Sequence, residues 1–260
     1  MPYSLTWLPG VLRNAGLKVA TVDGWEERGR GEMGRILGVL CHHTGSAGTG
    51  NMTTLGILIR GREDLPGPLA QLGLGRDGTF YVIAAGRCNH AGRGSWNEIE
   101  NGNSNFVGIE AENRGGHNDF PWPAVQMDAY QRGVAAILKH VGQGAEFCAG
   151  HKEYALPAGR KDDPIFNMDA FRSNVAALIA GVAPPPTLIP RVDPISRRPT
   201  LRRGDAGPFV NDLQQRLGVQ LGVFGPKTEA AVREFQRAHG LVPDGIVGPK
   251  TWALLDGASG

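Results

Sequence analysis

The stretch ILGVLCHHTG, residues 36–45, is the part of the sequence that decides the fold class. Its first six residues form a continuous apolar run of strand length, which predicts a buried β-strand over 36–41. Two histidines, His42 and His43, follow this run directly. Because functional sites in α/β sheets usually assemble at the carboxyl ends of strands, we expect this end of the strand to carry functional side chains.

Periodic patterns on both sides of this strand predict a sheet with helices around it. An Asp77-Gly78 pair between two strand-like segments is typical of a hairpin turn. Strands that alternate with amphipathic helical segments predict a mixed α/β sheet flanked by helices. The predicted elements are strands at 18–22, 36–41, 71–75, 79–84, 106–110 and 145–149, and helices at 8–15, 123–141 and 168–179.

Six prolines lie between residues 181 and 199 and divide the sequence into two parts. Proline fixes φ and lacks an amide proton, so this segment predicts an extended linker rather than a helix or a central strand. We therefore predict a large domain over residues 1–180, a linker over 181–199 and a small domain over 200–260.

The small domain contains a near-repeat, GVFGPKT at residues 222–228 and GIVGPKT at residues 245–251. Each copy is a glycine-proline turn that precedes a helical segment, and we predict Thr228 and Thr251 as the N-caps of those helices. With a further apolar helical pattern over 210–217, the repeat predicts a compact bundle of about three short helices.

The composition is that of an ordinary globular protein and excludes several classes of protein. Hydrophobic residues make up 41% of the chain and charged residues 20%, which rules out a wholly disordered chain or a coiled coil. The net charge of +2 argues against nucleic-acid binding by bulk charge. The sequence predicts no membrane span and no secretory signal, and three widely spaced cysteines do not form a disulfide framework.

Histidines and aspartates at the predicted strand ends are candidate metal ligands. His42 follows one strand, His151 follows FCAG at residues 147–150, and Asp162 and Asp163 lie close behind. Two imidazoles and one carboxylate would leave a fourth position for water, as a catalytic zinc ion requires. The spacing alone fits histidines held by ordinary hydrogen bonds as well, and it leaves the two aspartates interchangeable.

Strand alternation assigns other positions to the interior or to the opposite face of the sheet. His43 should point away from His42, and Cys148 should lie on the opposite face from His151. We therefore predict that Cys41 and Cys148 belong to the core. Solvent-facing positions are predicted at Lys152 and Glu153.

The motifs HHT, RDG, HAG, GIE, GH and RKDDP follow one another over residues 35–175. In this order they resemble the zinc-dependent N-acetylmuramoyl-L-alanine amidases, the family that includes phage lysozyme-type amidases and peptidoglycan recognition proteins. The resemblance implies that residues 1–180 form an amidase catalytic domain with a Zn²⁺ ion. Its implied ligands are His42, His151 and Asp163.

The same resemblance implies roles for residues around the metal. Glu110, at the end of FVGIE, matches the general base, and Lys161 matches the residue that stabilises the oxyanion. Glu112 is a rival base, because strand alternation would place it on the same side as Glu110. Some family members have a tyrosine where this sequence has Ala70. Substrate contacts are expected from Thr44 and His90, although His90 could instead brace a loop.

The doubled GxxGPKT turn resembles the peptidoglycan-binding domain that is appended to cell-wall hydrolases, over about residues 200–256. The first copy has Leu221 where the second has Asp244, which leaves open whether the first turn makes a polar contact with a glycan. A purely stabilising helical cap is the alternative interpretation of this segment.

Together the resemblances imply a monomeric peptidoglycan hydrolase that cuts the amide bond between N-acetylmuramic acid and L-alanine. We expect a phage endolysin, made in the cytoplasm without a signal peptide and acting on the cell wall; a bacterial autolysin is the alternative. The other hypotheses are a non-catalytic peptidoglycan-recognition protein and a zinc enzyme that cuts a peptide-peptide bond. Retention of all three ligands with Glu110 and Lys161 favours catalysis.

Overall fold

The computed structural model describes residues 1–46, 50–115, 122–182 and 198–257. The chain divides into two compact units, Met1–Ile189 and Pro190–Gly260, which are called the N-terminal unit and the C-terminal unit. Most of the predicted linker, residues 181–199, lies outside the described residues. In the described residues, no helix is both long and apolar enough to cross a membrane.

The N-terminal unit is built on a six-stranded mixed sheet with the strand order β1-β6-β5-β7-β2-β8. Neighbouring strands are parallel except in the β5–β6 hairpin, which turns at Asp77-Gly78 as predicted. The predicted mixed α/β fold is therefore confirmed. The strands of this sheet are β1 (Lys18–Thr21), β2 (Gly38–His43), β5 (Leu72–Leu74), β6 (Thr79–Val82), β7 (Phe106–Ala111) and β8 (Cys148–Gly150); β3 (Gly61–Arg62) and β4 (Leu65–Pro66) form a separate two-stranded ribbon.

Helices lie against the sheet and connect its strands. The longest, α4 (Ala124–Val141), packs against α6 (Met168–Ile179), α1 (Leu8–Asn14) and β2. Its buried apolar stripe includes Tyr130, Val134 and Leu138. A left-handed Gly142 closes α4, as is common at helix C-termini. The helices of this unit are α1 (Leu8–Asn14), α2 (Leu55–Arg60), α3 (Gly102–Asn105), α4 (Ala124–Val141), α5 (His151–Tyr154) and α6 (Met168–Ile179).

Two predicted strand boundaries are wrong at the edge that carries the candidate ligands. Strand β2 starts two residues later than predicted and includes both histidines, because His42 and His43 continue the ladder with β7. The segment predicted as a strand over 145–149 begins instead as a 3₁₀ turn at Ala145–Phe147, and the strand proper is Cys148–Gly150.

The alternation along β2 separates the site from the core. Cys41 lies in the main core with Cys148, their Sγ atoms 3.6 Å apart, so the prediction that both cysteines are core residues is confirmed. Leu40 packs on the other face against Ala149 and Tyr154. His42 lies on that same face by the two-residue period of a strand, and His43 lies on the face of Cys41.

The C-terminal unit contains three helices among its described residues, as predicted: α7 (Pro208–Arg216), α8 (Pro226–Ala238) and α9 (Pro249–Gly257). Its small core is formed by eight buried side chains. They are Leu201, Val210, Leu213, Phe224, Val232, Val247, Trp252 and Leu255.

The predicted N-caps of these helices are wrong. Proline starts α8 and α9, because its fixed φ suits the first helical position, and Thr228 and Thr251 are each the third helical residue. Both threonines are buried, and each hydroxyl accepts a hydrogen bond from a glutamine amide, Gln214 at 2.9 Å and Gln236 at 3.2 Å. The threonines therefore connect neighbouring helices, α7 to α8 and α8 to α9, instead of capping them.

Candidate metal centre

Three side chains from separate parts of the chain meet at the carboxyl end of β2. His42 is the fifth residue of that strand, and His151 is the first residue of α5, directly after β8. Asp163 lies in the following loop, where its carbonyl oxygen accepts a hydrogen bond from the Lys152 backbone N–H at 2.7 Å. The parallel pairing of β2 with β8 brings the two histidines together.

The potential ligand atoms of these three residues form a compact triangle. His42 Nδ1 is 3.0 Å from His151 Nδ1 and 3.1 Å from Asp163 Oδ2, and His151 Nδ1 is 3.2 Å from the same oxygen. All three residues are buried. Asp162, which the sequence left as an alternative ligand, is exposed and is not part of this group.

The triangle has the dimensions of one face of a zinc coordination tetrahedron. Ligand atoms about 2.0–2.1 Å from a zinc ion in tetrahedral geometry lie roughly 3.3–3.4 Å from one another. Burial, followed by the charge of His151, lowers the pKa of His42 to about 4, so this imidazole is neutral and free to act as a ligand. Two imidazoles and a carboxylate form a donor set that fits Zn²⁺.

Hydrogen bonds keep the Asp163 carboxylate ionised. Burial by itself would raise the pKa of this group, but when no metal ion is bound the hydrogen bonds from His151 and His42 hold it well below its usual value. The acidic ligand is therefore charged at neutral pH, which compensates part of the charge of a dication.

Glu110 faces this triangle from the neighbouring strand. It pairs with His42 in the β2–β7 register, and its Oε1 is 4.0 Å from His42 Nδ1. Its Oε2 is buried and has no hydrogen-bond partner among the described residues. Burial and the charge of Asp163 raise the pKa of Glu110 to about 8, against the opposing effects of Lys161 and Arg62.

A cavity of about 260 Å³ opens over these groups. Glu110, Asp163 and Lys161 line it, with Thr44 and His90 also in its wall. The structure thus brings every site residue predicted from the sequence to one place. Their chemical roles stay predictions.

The sequence profile of the N-acetylmuramoyl-L-alanine amidase family matches residues 32–165, just over half of the chain. The chain belongs to the N-acetylmuramoyl-L-alanine amidase family. A second profile, that of a peptidoglycan binding domain, matches residues 207–255 of this amidase-family chain. Both resemblances inferred from the sequence motifs are confirmed at the level of family.

Individual relatives of this amidase-family chain match shorter stretches. An uncharacterized protein of Kitasatospora aureofaciens is 52% identical over 66 residues, which is 22% of this chain and 56% of that protein. The zinc D-Ala-D-Ala carboxypeptidase of Streptomyces albus G is 48% identical over 62 residues, 20% of this chain and 24% of that protein. The chain therefore spans less than two thirds of either relative.

Among solved structures, a selenomethionine derivative of AmpD has a TM-score of 0.45 and 21% sequence identity. The match covers 66% of this amidase-family chain and 98% of AmpD. A likeness at this distance transfers no residue roles.

The prediction that Glu112 is a rival base to Glu110 is wrong. Strand β7 ends at Ala111, so the alternation that would align the two carboxylates stops before Glu112. The Glu112 side chain is fully buried and accepts hydrogen bonds from the backbone N–H groups and hydroxyls of Thr53 and Thr54. Its carboxylate anchors the start of α2 and makes an ion pair with Arg76 at 3.3 Å.

The prediction that Lys152 and Glu153 simply face solvent is also wrong. Lys152 Nζ donates to the Phe166 carbonyl oxygen at 2.9 Å. Glu153 accepts a hydrogen bond from the Gly150 backbone N–H at 2.8 Å and makes a two-fold ion pair with Arg172. These contacts fix the short helix α5 and therefore the backbone of His151 in this amidase-family site.

Tyr130 is a site residue that the sequence patterns did not reveal. Its hydroxyl accepts a hydrogen bond from the His42 backbone N–H at 2.9 Å and lies 3.0 Å from the carbonyl oxygens of His42 and Ile109. The hydroxyl thereby joins β2 to β7 at the level of the ligand. Ala70, where some family members have a tyrosine, is fully buried and has no polar group to offer the site.

Proposed function

We propose that this protein is a zinc-dependent N-acetylmuramoyl-L-alanine amidase that hydrolyses the amide bond between N-acetylmuramic acid and L-alanine in peptidoglycan. The observation that carries the proposal is the convergence of His42, His151 and Asp163 within 3.0–3.2 Å, beside the carboxyl group of Glu110. Membership of the amidase family supports the same reaction.

His42 Nδ1, His151 Nδ1 and Asp163 Oδ2 would hold the metal ion. A zinc ion bound with an open position lowers the pKa of its water ligand to about 7 and polarises the carbonyl group of a substrate. The three protein ligands supply two neutral donors and one negative charge, so the site keeps a net positive charge for that chemistry.

Glu110 would take the proton from the attacking water and deliver it to the leaving amine. Its carboxyl group borders the cavity, and one of its oxygens is free of hydrogen bonds from the described residues. Burial and the charge of Asp163 favour its protonated form, and a bound zinc dication, together with the charges of Lys161 and Arg62, would favour the ionised form that a base requires. A positioned general base of this kind contributes roughly 10²–10⁴-fold to the rate.

Lys161 would stabilise the negative charge that develops on the carbonyl oxygen. It lines the same cavity as Glu110 and Asp163, so its ammonium group is part of a preorganised electrostatic environment. Thr44 lines that cavity too, and we assign it to the surface that the substrate contacts.

The reaction is tested by digesting purified sacculi and identifying the new amino terminus by mass spectrometry. Free L-alanine termini support the amidase, whereas any other new terminus rejects it in favour of a different peptidoglycan bond. The protein should contain one zinc ion, and chelation should stop hydrolysis. Zinc-loaded protein that binds muropeptides without cutting them would establish the non-catalytic recognition protein instead.

The role of Glu110 has its own test. Glu110→Gln should retain zinc, because the three ligands are unchanged, and should lose at least about 10²-fold in turnover. Activity near that of the wild type would remove Glu110 from the role of base.

The C-terminal unit would hold the enzyme on the wall. Its match to a peptidoglycan binding domain supports this role, and tethering raises the local concentration of an insoluble substrate. Deletion of residues 182–260 should weaken sedimentation with sacculi and spare cleavage of a soluble muropeptide. Loss of the soluble activity would mean that the C-terminal unit contributes to the catalytic fold.

We assign the enzyme to the endolysins, acting on the bacterial wall as a monomer, because a catalytic unit joined to a wall-binding unit suits that task. Induced in a bacterial cytoplasm, it should leave cells intact until the membrane is permeabilised and then lyse them. Lysis without permeabilisation would favour an exported autolysin. Light scattering after gel filtration measures the mass of the species in solution.

A further inference from the structure

The outer ring nitrogens of both histidine ligands reach the same two-residue segment, His90–Ala91. His42 Nε2 lies 3.2 Å from His90 Nδ1. His151 Nε2 lies 3.0 Å from the Ala91 carbonyl oxygen. One short piece of loop therefore contacts both imidazoles on the side away from the candidate metal position.

Only one arrangement of protons satisfies this geometry when the inner nitrogens act as ligands. A ligating Nδ1 offers a lone pair, so the proton of each ligand must be on Nε2. The Nε2–H of His151 then donates to the Ala91 carbonyl oxygen, and the Nε2–H of His42 donates to Nδ1 of His90. His90 must in turn be protonated on its own Nε2.

His90 is placed to act on the ligand rather than on the substrate. His90 is only 7% exposed, its Nδ1 faces His42, and its Nε2 is buried. The ring lies directly over Gly108 of β7, where a Cβ atom would come within 2.7 Å of His90 Cγ. This close approach sets how far the ring extends towards His42.

Asn103 holds the segment His90–Ala91 in place through hydrogen bonds to its backbone. Its Oδ1 accepts hydrogen bonds from the backbone N–H groups of both His90, at 2.9 Å, and Ala91, at 2.8 Å. A single side-chain oxygen thus determines the position of the two groups that orient the two histidine ligands. Asn105, on the same short helix, points elsewhere and donates to the Arg35 carbonyl oxygen at 2.8 Å.

We propose that Asn103 and the segment His90–Ala91 form a positioning device that holds His42 and His151 in the tautomer and orientation that bind the metal. The proposal rests on the proposed zinc site. Outer contacts of this kind typically change metal affinity by about 10–100-fold when they are removed. His90 and Asn103 are positioning residues here, because both act through the ligands.

The test is the zinc affinity of the full chain, measured by competition with a chromophoric chelator. His90→Leu fills the space of the ring but offers no acceptor to His42, and should weaken zinc binding by about 10–100-fold. Asn103→Leu should weaken it similarly, whereas Asn103→Asp keeps an oxygen acceptor and should stay within about 3-fold of the wild type. Asn105→Leu is the matched control and should bind zinc like the wild type.

Thermal unfolding of the zinc-free variants separates positioning from folding. A positioning role predicts weaker zinc binding by variants whose zinc-free unfolding temperature stays close to that of the control. Wild-type affinity in both His90→Leu and Asn103→Leu would overturn the proposal, as would equal losses in Asn103→Asp and Asn103→Leu. If His90→Leu does not fold, the comparison of the zinc affinities of Asn103→Leu and Asn103→Asp tests the proposal. Failure of the wild type itself to bind zinc would instead refute the proposed function.

Discussion

The Glu110→Gln variant should be more stable than the wild type when no metal is bound, and its advantage should grow with pH. Burial and the charge of Asp163 raise the pKa of Glu110 from its ordinary 4.5 to about 8. The folded protein therefore holds this proton more tightly than the unfolded chain does. The stability that comes from the proton is present at low pH and is lost as pH rises from about 4.5 towards 8.

The size of this change in stability follows from the shift in the pKa of Glu110. One pKa unit corresponds to about 1.4 kcal/mol, so the full shift corresponds to about 5 kcal/mol of lost stability well above pH 8. At pH 5 the loss is only about 1 kcal/mol, and at pH 8 it is about 4 kcal/mol. The stability difference between Glu110→Gln and the wild type should therefore widen by about 3 kcal/mol between these two values.

Urea denaturation in the presence of a chelator, at pH 5, 6.5 and 8, measures this difference. The exposed Glu26 provides a matched control. The difference in the free energy of unfolding between Glu26→Gln and the wild type should be the same at every pH. A difference between Glu110→Gln and the wild type that does not change with pH would show that Glu110 ionises normally. The outcome expected here is a more stable but inactive enzyme, as is common when a buried catalytic charge is removed.

Two further predictions concern hydrogen bonds. Tyr130→Phe should lower the free energy of unfolding by about 1–3 kcal/mol, because the buried backbone N–H of His42 loses its acceptor; an unchanged urea midpoint would contradict this. In the C-terminal unit, Asp244→Leu should destabilise by about 1–2 kcal/mol, because the Ile246 N–H and the part-buried Gln236 amide both lose the carboxylate oxygen that accepts their hydrogen bonds. The matched Leu221→Asp should be neutral or stabilising in thermal unfolding, and a loss as large as that of Asp244→Leu would show that the two turns are not equivalent.

Local patterns predict the sheet of this protein well, because its central strands are continuous apolar runs between clear turns. The family resemblance carried by the order of motifs also predicts three candidate metal ligands, which the structure brings together although the two histidines lie more than one hundred residues apart. The errors occur where a local rule is continued past the end of an element. Strand alternation predicts that Glu112 faces the same way as Glu110, but β7 ends at Ala111, one residue before Glu112.

The roles of residues that act through long-range hydrogen bonds could not be predicted from the sequence. Tyr130 has the spacing of a core residue on an amphipathic helix, and its ring is buried as that pattern predicts. Nothing in the helical period indicates that its hydroxyl meets the backbone of His42, 88 positions away. Asn103 is similar, because its two partners at His90 and Ala91 lie on another loop.

The repeat in the C-terminal unit shows why such residues escape a search for sequence periods. The Oε1 of Gln214 accepts from the Gly222 N–H, and the Oε1 of Gln236 accepts from the Gly245 N–H, at 2.8 and 2.9 Å. Each glutamine amide also donates to a buried threonine, so one side chain satisfies a turn and a helix together. Yet one glutamine lies eight residues before its glycine and the other nine. The unit therefore repeats a hydrogen-bonding arrangement, and the GxxGPKT sequence motif is only the part of that arrangement that keeps a fixed spacing.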